Sequence, residues 1–228
     1  MALVFVMRNR YEKSIMPIKL DHVFILTEPG AEDADLLLSA GLVEGANNRH
    51  PGQGTANRRF FFANTTLEFL YVHDAIESAS GLAKGLRFVE RCSAAGASPF
   101  GLVMKTVQRD SVLPFDSWQY CPEYFANDQC FHVGKNSDVI EEPLCIVMPS
   151  NLAPRKSLPV PENMSWILTE LKISVPVVQP STALSGISKC EWVTVIPDTP
   201  HSLELTFNNA VKGKTRDFRA QMPLIMNW

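Results

Sequence analysis

A chain of 228 residues with 46% hydrophobic and 20% charged side chains carries enough apolar material for one sizeable core or two small fused units. Its formal net charge is -3 and no Lys/Arg run is longer than two, so the basic face that phosphate contacts need is missing and no nucleic-acid partner is expected. The apolar run from Met1 to Met7 is too short to span a bilayer and has no basic stretch before it, so no membrane segment is expected. Met7 and Met16 are both possible starts, and residues 1–17 read as an N-terminal extension. The five cysteines, Cys92, Cys121, Cys130, Cys145 and Cys190, contain no Cys-x-x-Cys pair and read as reduced thiols of a cytoplasmic protein.

In chain order, Lys19 to Leu26 reads as a strand, with Leu20, His22, Phe24 and Leu26 on one face and Asp21, Val23, Ile25 and Thr27 on the other. Both faces are largely apolar, so His22 needs a partner. A turn at Thr27-Glu28-Pro29-Gly30 leads to a short amphipathic helix from Ala31 to Ala40, acidic in its first turn and closed by Gly41. Leu42 to Asn47 and Arg59 to Ala63 read as strands around a glycine-rich loop, His50 to Asn57, and Leu67 to Val72 is the next strand. Residues 75–95 turn helical, with Leu82, Leu86, Val89 and Cys92 on one side and Glu90-Arg91 on the exposed side. Strands follow at Phe100 to Val107, Cys130 to Gly134 and Leu144 to Met148, interrupted by an irregular region, 108–128. After the proline-rich 149–161, the sequence predicts a helix over 162–169, strands over 171–178, 191–196 and 202–207, a helical turn at 181–186, and a tail, 215–228, that covers a sheet edge.

Leu67-Glu68-Phe69 and Leu203-Glu204-Leu205 each place a glutamate opposite flanking apolar residues, and a strand-helix-strand copy can be drawn over Leu171 to Phe207. If the chain is an internal duplication, His22, Glu68 and Glu204 would offer one imidazole and two carboxylates to a divalent cation with open positions for water or substrate. Such a metal polarises bound oxygens.

The run Leu20-Asp21-His22-Val23, the acidic helix start, the loop from His50 to Arg58 and Leu67-Glu68 together resemble the glyoxalase-like branch of the vicinal oxygen chelate superfamily (glyoxalase, bleomycin resistance, extradiol dioxygenase) over residues 18–107. The resemblance implies an α+β fold in which paired βαβββ modules form a curved mixed sheet around a cavity. The modules would be 18–74 and a divergent 98–228, joined by a helical connector at 75–97. It implies one divalent metal ion, Mn, Fe, Ni or Zn, held by His22, Glu68 and Glu204, with Glu204 or Glu68 also moving protons. His50, Gln53, Thr55, Asn57 and Arg58 would form a rim that grips a polar or anionic substrate. The superfamily's fourth ligand has no counterpart in Phe100 to Lys105 or in Leu171 to Ser174; His132 is the spare histidine for that place.

Each feature also has a plainer reading: His22 as a core histidine bonded to a carbonyl, Glu204 on a solvated face with Ser202 and Thr206, the glycine-rich loop as a bare connection. His73 and Asp74 alternate faces, which makes Asp74 a helix cap rather than half of an acid-base pair. His201 reads as a turn residue. Two functions follow: a metal-dependent lyase, isomerase or dioxygenase acting on a small oxygen-rich metabolite, or a metal-free cavity that sequesters a small hydrophobic molecule, lined by Phe60, Phe61, Phe62, Phe69 and Tyr71. A dioxygenase would need His132 as second imidazole. A homodimer could complete the cavity in either case.

Overall fold

A computed structural model describes residues 17–108, 111–125, 129–149 and 162–228. All of the expected extension but Pro17, and the prolines of 150–161, lie outside the described residues. The first five elements are β1 (Ile18–Leu26), α1 (Ala34–Ser39), β2 (Asn48–His50), β3 (Thr55–Phe61) and β4 (Thr66–Val72). Strands β2, β3 and β4 form an antiparallel run, and β1 returns parallel to β4. The strand expected at Leu42 to Asn47 is displaced to β2. The backbone of 43–45 bonds the Asn163 side chain and the Arg59 carbonyl instead of forming a ladder.

The same arrangement recurs in β5 (Phe100–Thr106), β6 (Ser117–Tyr120), β7 (Phe131–Gly134) and β8 (Leu144–Val147), where β5 is parallel to β8. Antiparallel pairing of β1 with β5 joins the two groups into one eight-stranded sheet, β2-β3-β4-β1-β5-β8-β7-β6. Among the described residues this is an α+β fold in which two strand modules pair into one curved mixed sheet, as expected.

Residues 98–228, read from the sequence as one module, fall into two sheets. The second is built from β9 (Leu168–Val175), β10 (Val193–Pro197), β11 (Ser202–Phe207), β12 (Thr215–Asp217) and β13 (Leu224–Asn227), with α4 (Thr182–Ile187) between β9 and β10. Here β9 is parallel to β10 and antiparallel to β11, so the Leu171 to Phe207 segment does not repeat the first module; the copy is β5 to β8. The tail extends this sheet through β13 and β12 rather than covering its edge.

One face of the large sheet is closed by the second sheet and α1 in a shared core, with Val23, Ile25, Leu67, Phe69, Leu102 and Met104 meeting residues such as Leu171, Ile173, Leu203 and Phe207. Burying each such side chain contributes about 1.5–3 kcal/mol. The other face holds a smaller cluster around Phe24, Leu70, Val103, Leu144 and Ile146. The connector over it is broken into α2 (Ala75–Ser78), a single 3-10 turn and α3 (Phe88–Ser93), because Arg87 takes φ 56°. Leu86 and Phe88 are buried there, whereas Leu82 and Cys92 are exposed, so the single apolar stripe expected of one helix does not form. Asp74 caps α2 as expected, accepting from Glu77 N at 2.9 Å.

Arg91 is buried rather than exposed. Its Nη1 donates to the carbonyls of Glu142 (2.6 Å) and Ile140 (3.1 Å), fastening the connector to the turn before β8. The Glu142 carboxylate in turn accepts from Asn136 Nδ2 (3.0 Å), Ser181 N (2.6 Å) and Ser181 Oγ (2.5 Å) at the start of α4. Burial pushes the Arg91 guanidinium down to about 10, which leaves it charged at neutral pH. Cutting this chain leaves several carbonyls without a donor, so Arg91→Met is expected to lose about 2–4 kcal/mol in urea unfolding with the m-value unchanged.

Candidate functional site

Strand β1 does not alternate as its sequence suggests. In its pairing with β5, Leu20 faces Met104 and His22 faces Val103, so Asp21 is an extra residue, a β-bulge. The bulge switches the phase of alternation. Leu20 therefore joins the core between the sheets with Val23 and Ile25, while His22 and Phe24 face the other way. The Asp21 carbonyl accepts from Thr65 Oγ1 at 3.1 Å.

The bulge also lets two adjacent side chains meet, which regular strand geometry forbids. Asp21 Oδ2 lies 2.9 Å from His22 Nδ1, and Lys105 Nζ donates to Asp21 Oδ1 at 2.7 Å. Burial works to raise the Asp21 pKa, but the hydrogen bonds and positive charge of His22 and Lys105 outweigh it and hold the carboxyl well below the usual range. An ionised carboxylate can only accept, so His22 Nδ1 donates the proton of that bond and Nε2 is turned away from Asp21.

His22 Nε2 points toward Glu68 Oε2, 4.0 Å away on the neighbouring β4. Asn57 Nδ2 donates to that oxygen at 3.1 Å. Both groups line a cavity of about 70 Å³. His50 and Gln53 also line it, held through Thr55: the Thr55 hydroxyl lies 2.9 Å from His50 Nδ1 and accepts from Gln53 Nε2 at 2.7 Å. Burial pushes the His50 imidazole down, against the pull of Glu68. Gly54 at φ 69° lets this turn close against α2, where a Cβ would meet the Asp74 carbonyl.

Four of the expected site residues thus converge: His22 and Glu68 as a facing pair, His50 and Gln53 beside them. Thr55 and Asn57 stand behind as positioning groups. Arg58 is elsewhere, donating to Glu44 (2.6 and 3.0 Å) and pairing with Asp35 (2.8 Å), where it anchors α1. Its neighbours in β3 alternate, and Arg58 falls on the face opposite Asn57. His132 shares β7 with Phe131, which lines the cavity, but has the opposite phase and lies 3.5 Å from Ser117 Oγ. Glu204 sits in the second sheet, opposite Lys172 in register, and accepts from Asn227 Nδ2 at 2.7 Å. It is not among the residues lining the cavity.

Alternation also redistributes the aromatics. Phe60, Phe62 and Phe69 belong to the core between the sheets and Tyr71 packs on its margin, while Phe61 lies under the Arg59 guanidinium. The cavity draws instead on Phe24, Phe88, Tyr120, Tyr124 and Phe131. Tyr124 donates to Gln53 Oε1 at 2.9 Å and its ring lies 5.4 Å from that of His50. The two tyrosines were legible only as members of an irregular stretch. A disulfide joins Cys121, within that stretch, to Cys130 beyond its end, which corrects the reading of all five cysteines as reduced. Cys92, Cys145 and Cys190 are free thiols.

A divalent metal does not fit these residues as a complete protein site. On the cavity face the second module presents Gly101 and Val103 from β5 and Leu144 and Ile146 from β8, none with a donor atom. Among the described residues no group of three or more His, Cys, Asp or Glu side chains is placed to hold a metal ion, whereas catalytic zinc sites use three protein ligands.

No protein-family model matches the chain, and no curated protein matches it. Among solved structures, a hypothetical protein from Staphylococcus aureus superposes with a TM-score of 0.54 at 10% identity, covering 92% of this chain and 98% of its own. A variant of methylmalonyl-CoA epimerase from Streptomyces coelicolor, in complex with 2-nitronate-propionyl-CoA, gives 0.37 at 13% identity over 59% of this chain and 98% of its own. A mutant 4-hydroxymandelate synthase from Streptomyces coelicolor gives 0.40 at 14% over 70% and 48%. At such identities the first likeness is one of fold. No helix among the described residues is long and apolar enough to cross a membrane.

The ionised Asp21 stabilises the fold fully above the ordinary Asp value of 3.8, and that contribution is lost as pH falls toward its lowered folded value. Asp21→Asn is expected to cost about 1–3 kcal/mol at neutral pH. In acid titrations followed by circular dichroism, the gap between wild type and variant should narrow below that ordinary value; a gap that widens would contradict the assignment.

Proposed function

We propose that this chain is a glyoxalase-like protein that binds a compact organic molecule between its two modules and transfers a proton on it with His22 and Glu68, as an isomerase or lyase would, without a protein-held metal. The observation that carries the reading is the Asp21-His22 couple aimed at Glu68 in a cavity that also holds His50 and Gln53 and is otherwise walled mainly by aromatic and aliphatic side chains. Asp21 fixes the tautomer, so the neutral ring presents a basic Nε2 to whatever occupies the cavity. Once His22 has taken a proton, the carboxylate behind it stabilises the imidazolium. Glu68, oriented by Asn57, is the second group within reach and can accept or return a proton on its own side of the ligand.

A divalent-metal enzyme is the second reading. One observation favours it: a carboxylate behind the far nitrogen of a histidine is the arrangement that orients metal-binding imidazoles. Mn, Fe, Ni and Zn are the candidate ions, with His22 and Glu68 as their two protein ligands here.

Thermal-shift screening of a small-molecule library in the presence of chelator separates the two. The first reading expects ligands that raise the Tm equally with and without chelator, and loses those hits in His22→Ala and Glu68→Ala. Stoichiometric metal by elemental analysis, removed by either substitution, would instead establish the second.

A further inference from the structure

One cavity wall carries a polar group that nothing among the described residues satisfies. Tyr120 is 3% exposed and lines the cavity, and its hydroxyl has no hydrogen-bond partner among those residues. A buried hydroxyl left unpaired costs about 1–3 kcal/mol, so such a group calls for a partner. The ring is packed among other aromatic rings. It stacks on Phe131 at 6.2 Å with 9° between planes and meets Trp118 edge-on at 6.3 Å. Tyr120 and Phe131 are paired across β6 and β7, and the residues next to them, Cys121 and Cys130, are joined by the disulfide. Burial pushes the phenol's pKa up, so the hydroxyl keeps its proton and is a donor.

The charge of the cavity adds a second constraint. Among the described residues its lining includes the Glu68 carboxylate and no Lys or Arg. Cations elsewhere on the large sheet have partners of their own: Lys105 donates to Asp21 (2.7 Å), Arg58 to Glu44 (2.6 Å), and Arg59 to the Ala46 carbonyl (2.6 Å). An anionic ligand would meet a like charge at low dielectric with no counter-ion on the lining.

Resting on the reading that this cavity binds a compact molecule, we propose that Tyr120 donates to an oxygen of that molecule and that the ligand is uncharged, a small ketone, aldehyde or alcohol on an apolar body. Val103, Ile146, Phe88 and Phe131 take the apolar body.

The test uses the full chain and three probes of similar size, cyclopentanone, cyclopentane and isobutyrate, with Kd measured by ligand-observed NMR. Wild type should bind cyclopentanone most tightly. Tyr120→Phe should weaken cyclopentanone about tenfold while leaving cyclopentane unchanged, since one hydrogen bond is lost. The ligand-free Tm of Tyr120→Phe should equal or exceed that of wild type, because the unpaired hydroxyl is gone; this also shows that the variant folds. Glu68→Gln should tighten isobutyrate relative to wild type. Unchanged cyclopentanone affinity in Tyr120→Phe, or isobutyrate binding to wild type as tightly as cyclopentanone, overturns this inference and leaves the cavity reading standing. If none of the three probes binds wild type, the cavity reading falls and the inference with it.

Discussion

The extra residue at Asp21 is the constraint on which the site depends. A strand without the bulge would keep Leu20 and His22 on one face, sending either the leucine into the cavity or the imidazole into the core between the sheets. The bulge resolves that conflict by one residue. It also turns two neighbours in sequence into a hydrogen-bonded couple, which makes the histidine's tautomer a consequence of backbone geometry. Thr65 holds the bulge carbonyl and Lys105 the bulge carboxylate, so residues from β5 and the β3-β4 turn share in keeping it.

The two modules are alike in backbone and unlike in chemistry. In each, the first strand runs parallel to the fourth, and the pairing of β1 with β5 brings both to the middle of one sheet. The first module contributes the polar groups, His22, Glu68, His50 and Gln53. The second contributes Val103, Ile146, Phe131 and Tyr120. Gly101 belongs to the same logic: it lies opposite Phe24, and a Cβ there would collide with that ring. Most of the titratable groups thus lie in one half of the cavity and most of the aliphatic wall in the other.

The second sheet serves the first by covering its back. Its apolar residues alternate inward along β9 and β11, and Asn64, Asn163 and Glu142 tie its chain to the modules through paired hydrogen bonds. Glu204 points the other way, into a polar ladder with Lys172 and Asn227. Its similarity to Glu68 in local sequence is real, and it reflects the shared pattern of a half-buried strand rather than a shared site.

Much of the local structure was legible in the sequence: β11 at its observed bounds, the Asp74 cap, the first module's order of strand, helix and three strands, and the need of His22 for a partner. These follow from periodicity and from the cost of burying polar groups, which act over a few residues. Which residues face each other was decided by tertiary structure. The bulge at Asp21, the exile of Arg58 and His132 from the cavity, the choice of 100–147 rather than 171–207 as the second module, and the Cys121-Cys130 link all depend on register and strand order. A shift of one residue reverses every side chain on a strand, and periodicity within one strand carries no information about its alignment with the next.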